Sequence, residues 1–292
     1  MKAEKFFLES EGGRRSKEDS LFHILPVPYE KTVSYGTGTK NAPSAIINAS
    51  QQLESYDGIS IPLEHGIFTH RPIDCKGKDI NVLKKIEQAV TSILSMKKIP
   101  VILGGEHTVS YGSIIAAKNF FKNIGVIHFD AHADLRNEYE GSKFSHACVM
   151  RRVHENKIPI IQIGTRSFSI EEKNYRDQHK EIIYYNAADI YREKKFTIDF
   201  PGNFPENIYI SVDVDAFDPS VIPHTGTPVP GGLLWYDFFS FINSIPMDKK
   251  IIGFDIVELA PDSKSAVSDF AAAQLTYNLM GYVVRLIINR HL

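Results

Sequence analysis

The 292-residue sequence predicts an α/β protein built on an open, mostly parallel sheet. Three observations predict it. Five short runs rich in Val and Ile are continuously apolar, as strands covered on both faces are. Longer amphipathic stretches separate several of them. Three of the runs end in acidic or histidine residues, and ligands of parallel α/β sheets lie beyond the carboxyl ends of the strands.

In chain order, the N-terminus (MKAEKFFLESEGGRRSKEDS) breaks every apolar stretch with charge. No targeting signal is expected there, the mature chain should start near Met1, and residues 1–19 read as a loosely held arm. Asp79–Met96 reads as a helix capped by Asp79 or Asn81. The strand Ile99–Leu103 runs into GGEH, and Ser110–Phe121 is the next helix. The strand Ile124–Phe129 runs into DAHAD, Ile158–Ile163 follows, and Ile208–Val212 runs into DVDAFDP. Pro219–Gly232 is dense in Pro and Gly but too apolar for a flexible hinge. Tyr236–Ser244 reads as a helix and Ile251–Ile256 as a strand. Leu279–Ile288 contains Arg285 and is about half of the roughly 20 residues that span a bilayer, so it reads as a buried helix. With no repeat or low-complexity linker, residues 1–292 read as one domain.

Composition removes several function classes. The 33 Lys and Arg against 35 Asp and Glu give a net charge of −2, which lacks the cationic field that binds nucleic acid or anionic membranes. The two cysteines, Cys75 and Cys148, form no CxxC pair. Neither a disulfide framework nor a thiolate zinc site is expected, and a reducing cytoplasm fits.

The chemistry sits at the strand ends. Asp130, His132 and Asp134 are spaced by two, so on an extended backbone their side chains project to one side. Asp213 and Asp215 repeat the pattern, and two like charges placed so closely need a cation. His107 completes the set, after two glycines that let the backbone pass close to something. Four carboxylates and two imidazoles without sulfur favour Mn²⁺, and less strongly Fe²⁺, Co²⁺ or Ni²⁺, over a structural zinc. Six side chains exceed the needs of one catalytic ion and suit two ions about 3.5 to 4 Å apart. Two divalent ions, four carboxylates and a hydroxide leave roughly one negative charge, which predicts a cationic substrate.

Asp218 precedes Pro219 and reads as a turn residue. His146 lies on a loop that could fold over the metals, or it could cap a helix starting near Ala147. Glu258 follows another strand at the same edge and could hold a guanidinium by two parallel hydrogen bonds, or be a salt-bridged surface residue. Asp255 reads as structural. Arg136 reads as a surface residue paired with Glu138 or Glu140.

GGEH at 104–107, DAHAD at 130–134, SVDVDAFDP at 211–219 and GFDIVE at 253–258 resemble the arginase/agmatinase family of ureohydrolases in order and spacing. The resemblance runs from about Ser34 to the C-terminus. It implies a three-layer α/β/α fold and two Mn²⁺ per subunit. One ion would be bound by His107, Asp130, Asp134 and Asp213. The other would be bound by Asp130, His132, Asp213 and Asp215, with Asp130 and Asp213 bridging. His146 takes the place of the proton-shuttling histidine and Glu258 that of the guanidinium-binding glutamate, while Asp215 or His146 protonates the departing amine. The loop RNEYEGSKFSHACVMRR is similar to that of agmatinases, which implies agmatine cleaved to putrescine and urea on the route to polyamines. Ser167 and Ser169 stand where arginases carry Asp. Arg136 near the mouth is compatible with 4-guanidinobutyrate or formiminoglutamate. A polyamine or lysine deacetylase of the same general fold would have a single zinc and a His-His pair, which the sequence lacks. The resemblance also implies a homo-oligomer, a trimer or hexamer.

Overall fold

In the computed structural model, which describes residues 5–289, the apolar runs are strands because alternate side chains enter two different cores. Along β3 (Ile99–Gly104), Val101 and Leu103 enter one core and Ile102 the other. Along β4 (Ile124–Phe129), Ile127 and Phe129 part from Val126 in the same way. The other strands are β1 (Phe22–Val27), β2 (Ile67–Thr69), β5 (Ile160–Thr165), β6 (Ile182–Asn186), β7 (Asn207–Asp213) and β8 (Lys250–Val257). All eight pair in parallel in the order β2-β1-β3-β8-β7-β4-β5-β6.

The described helices are α1 (Glu9–Gly12), α2 (Ala42–Ala49), α3 (Asp79–Ser95), α4 (Val109–Phe121), α5 (Val149–Glu155), α6 (Ile170–Gln178), α7 (Ala187–Glu193), α8 (Trp235–Asn243) and α9 (Val267–Asn289). One face of the sheet is covered by α2, α7, α8 and α9, and the other by α3, α4 and α5. This is the three-layer α/β/α arrangement that the resemblance implied. In α3, Val82, Leu83, Ile86, Val90, Ile93 and Leu94 form the buried stripe. Its N-cap is Lys78 rather than Asp79 or Asn81, and Asp79 instead lies in the first turn, where the helix dipole favours a carboxylate. Among the described residues no helix is long and apolar enough to cross a membrane.

The expected loosely held arm is a correction for residues 5–19, whereas residues 1–4 lie outside the described residues. Phe7 and Leu8 are buried in the core. Phe7 N donates to Thr69 Oγ1 (3.0 Å) and Leu8 N to Ser50 Oγ (2.9 Å). Two adjacent large apolar side chains outweigh the charges around them, and the arm docks.

The chain builds β1, β2 and β3 at one side, then crosses to β4 and leaves a gap that β8 and β7 fill. The carboxyl ends of β3, β8, β7 and β4 therefore stand side by side at the place where an α/β sheet binds its ligand.

Candidate active site

Each of those four strands delivers polar residues just past its last apolar one. After β3, Gly105 passes so near Tyr29 that a Cβ would sit 1.9 Å from the Tyr29 carbonyl oxygen, and only glycine fits. The turn presents Glu106 and His107. Asp130 follows β4, Asp213 closes β7 and Glu258 follows β8. Asp134 and Glu258 have φ of 54° and 65°, a left-handed backbone uncommon for non-glycine residues.

The residues singled out from sequence converge as two groups. His107 Nδ1 lies 3.1 Å from Asp130 Oδ2, 3.1 Å from Asp134 Oδ2 and 3.5 Å from Asp213 Oδ2. His132 Nδ1 lies 3.0 Å from Asp215 Oδ2 and 3.4 Å from Asp130 Oδ1. Asp130 thus turns one oxygen to each group. Asp213 faces the first group, while its Oδ1 accepts from Asp215 N (2.8 Å).

These groups fit a cation. Ser211 Oγ donates to Asp255 Oδ1 (2.8 Å), so it accepts from His107 Nε2 (2.9 Å). In neutral His107 the bare nitrogen is then Nδ1, which is buried among carboxylate oxygens without an in-line hydrogen bond. That arrangement needs positive charge at Nδ1, either a proton or a metal ion. Burial alone would lower the pKa of His107, but Asp130, Asp134 and Asp213 lift it well above the ordinary imidazole value. Burial and Asp130 push Asp134 up to about 7. Burial, Asp215 and Asp130 likewise lift Asp213 well above the carboxylate range. Asp130 moves the other way: against the effect of burial, His128, His107 and His132 hold it well below. Burial lowers His132, yet Asp215 and Asp130 raise it to about 12. Asp255, read as structural, holds His107 through Ser211.

His128 was not foreseen, although a polar residue two positions before Asp130 in a doubly buried strand was a readable signal. Its Nε2 lies 2.9 Å from Asp130 Oδ2 and its Nδ1 3.0 Å from Gln162 Nε2. The Gln162 amide nitrogen also donates to Ala133 O (2.7 Å), so it is a donor to His128 as well. His128 Nε2–H therefore donates to Asp130 and orients that carboxylate, and offers no lone pair to a metal.

His146 opens the short 3₁₀ turn His146–Cys148 ahead of α5, and Ser145 rather than His146 occupies the capping position. Burial and the charges of His107 and His132 lower its pKa to about 4. Glu258 Oε1 accepts from His107 N (2.6 Å), and burial and Glu106 raise its carboxyl well above the ordinary value. His107, His132, Asp134, His146, Asp213 and Glu258 line one narrow cleft with about 20 Å³ of free space. It shares Ser34, His132, Asp134, His146 and Thr227 with an outer chamber of about 300 Å³, whose other walls include Arg136, Tyr139, Phe168 and Glu172. Larger cavities near Pro43 and near His179 lie among none of these residues.

Arg136 does not pair with Glu138 or Glu140; its Nε lies 4.0 Å from Glu172 Oε2 and its guanidinium 5.3 Å from the Tyr139 ring centre. Ser169 is committed to a capping box at the start of α6 with Glu172. Asp218 is the expected turn residue, accepting from Ser220, Gly231 and Gly232 amides, which hold its pKa down to about 2 despite partial burial.

Arg166 is a second residue that sequence reasoning passed over. It donates only to carbonyls, among them Asp215 O (2.7 Å), Val229 O (2.7 Å) and Gly164 O (3.1 Å). It thereby ties the Asp215 turn to the 219–232 loop. Arg166→Lys should lose the forked contacts and cost about 2 to 3 kcal/mol, two or three net hydrogen bonds. Thermal unfolding measures this, and an unchanged midpoint would refute the clamp.

Carboxylates and imidazoles gathered at the central strand ends of a parallel sheet make this an α/β protein with side-chain groups that could hold metal ions. The arginase family's sequence model matches residues 20–281. The chain belongs to the arginase family, as an agmatinase-like ureohydrolase. It is 34% identical to the N(1)-aminopropylagmatine ureohydrolase of Synechocystis sp. across 95% of this chain and 94% of that protein. It is 33% identical to the agmatinase of Pyrococcus horikoshii across 92% of this chain and 94% of that one. The solved agmatine ureohydrolase of Thermoplasma volcanium matches with a TM-score of 0.84 at 29% identity, covering 99% of this chain and 97% of that one. The arginase of Medicago truncatula, with a TM-score of 0.80 at 24% identity over 91% of this chain and 88% of that one, shares the fold.

Proposed function

We propose that the protein hydrolyses agmatine to urea and putrescine with two Mn²⁺ ions per subunit. His107, Asp130, Asp134 and Asp213 would hold one ion, and Asp130, His132, Asp213 and Asp215 the other. The observation that carries this reading is the pair of His/carboxylate groups joined through Asp130, one buried and one partly exposed at His132, with Glu258 and His146 in the same cleft. When bound, the ions supply a water nucleophile near neutral pH and Lewis acidity for the charge that develops.

The chain's own residues do the rest. Glu258, fixed through Oε1 by His107 N, presents a planar carboxylate that can pair with the guanidinium. His146 or Asp215 carries the proton to the departing amine. The buried acidic groups favour a cation, which agrees with a guanidine and with neither nucleic acid nor membrane as partner. A cytoplasmic homo-oligomer, trimer or hexamer, serving putrescine and spermidine synthesis, belongs to the same reading.

Agmatine is favoured over arginine because Ser167 and Ser169 offer no carboxylate to an α-ammonium group, and Ser169 is already used at the α6 cap. A second reading is N(1)-aminopropylagmatine, the substrate in the name of the Synechocystis relative. The outer chamber with Tyr139 and Phe168 gives room for a longer tail. Urea release should be measured across agmatine, N(1)-aminopropylagmatine, arginine, 4-guanidinobutyrate and formiminoglutamate. Arginine is expected to have a kcat/KM at least about a hundredfold below the better of the first two, the discrimination that a missing polar partner allows. Equal rates on arginine would overturn the substrate assignment, and no urea from any guanidine would overturn the reaction.

A further inference from the structure

We propose that Glu106 and Thr32 are positioning residues that fix the orientation and tautomer of His146, keeping the proton on Nδ1 and leaving Nε2 free to receive one in the cleft. This rests on the reading of His146 as a proton carrier. Glu106 lies in the GGEH motif, yet nothing above gives it a role, and its residue is 0% exposed.

Its carboxylate is fully used. Oε2 accepts from Lys31 N (2.8 Å) and Thr32 N (2.7 Å), and Oε1 from the hydroxyls of Thr32 (2.9 Å) and Thr108 (3.0 Å). Four donors match the acceptor capacity of an ionised carboxylate.

A hydroxyl has one proton. Thr32 gives its proton to Glu106, so toward any other neighbour Thr32 Oγ1 can only accept. Those neighbours are His146 N (3.2 Å) and His146 Nδ1 (3.2 Å). For the Thr32 contact to be a hydrogen bond, Nδ1 carries the hydrogen. Ser145 Oγ, 3.4 Å from Nδ1, is the competing neighbour: donation from it would place the proton on Nε2 instead. The shorter contact and the doubly anchored Thr32 favour the first arrangement. A histidine that hands a proton on needs one nitrogen held and the other bare, and the hydrogen bond at the held nitrogen decides which is which.

The test compares Thr32→Val, which removes the hydroxyl at similar volume, with Thr32→Ser, which restores it. The Val variant should lose about tenfold in kcat, one hydrogen bond's worth, with KM and divalent-ion content unchanged, and the Ser variant should recover most of it. A second readout is independent of turnover. In ¹⁵N-histidine-labelled protein loaded with Zn²⁺, long-range ¹H–¹⁵N spectra should show His146, assigned by its loss in His146→Asn, as the Nδ1–H tautomer in the wild type and Thr32→Ser. Thr32→Val should show a mixture or Nε2–H. Nε2–H in the wild type, or an unchanged tautomer and kcat in Thr32→Val, would overturn the proposal. If Thr32→Val fails to fold, the wild-type and Thr32→Ser spectra still decide. If the wild type cleaves no guanidine, the proposed function fails while the tautomer is still read.

Discussion

Asp130→Asn should empty the metal centre and reduce urea release by about a thousandfold or more, the several kcal/mol that metal-ion catalysis supplies. Asp130 is singled out because its two oxygens face different groups, Oδ2 toward His107 and Oδ1 toward His132. Neutralising it withdraws a charged donor from both. His128 Nε2–H would then meet an amide in place of a carboxylate, which weakens the contact that orients residue 130. Elemental analysis of the dialysed protein gives the metal content, and a urea assay the rate. Two retained ions together with wild-type turnover would contradict the placement of Asp130 between two ions.

Divalent-ion binding should release protons and weaken steeply as pH falls. The sign follows from the raised pKa values. Asp134 keeps its proton up to about 7 because of burial and Asp130. His132, despite burial, keeps its proton up to about 12 because of Asp215 and Asp130. Both must lose that proton to offer a lone pair to a cation. Below the Asp134 value these two protons are displaced on binding, together with those that His107 and Asp213 hold through their raised pKa values; above it Asp134 is already ionised and the dependence becomes shallower. Each proton released steepens the affinity by about tenfold per pH unit. Titration calorimetry in buffers of different ionisation enthalpy counts the protons directly. Affinity independent of pH, with no proton released, would rule out these two residues as ligands.

Much of the site was legible because it is local. Asp130, His132 and Asp134 lie within five residues just past β4, so their closeness is legible without the rest of the chain, although β4 ends at Phe129 and the left-handed Asp134 departs from the extended backbone that the spacing assumed. What holds them was not legible, because its partners are remote in sequence. Thr32 reaches Glu106 across 74 residues and His146 across 114, and no spacing rule points to such a triangle. Arg166 was passed over because its acceptors are backbone carbonyls, which every residue has. For the fold, the five central strands were visible as runs rich in Val and Ile. β1 was missed because FHILPV holds only one Ile and one Val, although all six residues are buried. β2 has only three residues, and β6 at the sheet edge is partly exposed, so neither gives a continuous apolar signal. The arm misled because its charges outnumber Phe7 and Leu8, the two residues that anchor it.

The left-handed backbone at Asp134 and Glu258 carries a consequence for how this chain changes over evolutionary time. Glycine at either position would relax the main chain at once, and each such change would also erase a carboxylate the chemistry uses. Keeping both acids therefore means keeping a backbone conformation that glycine would adopt more easily.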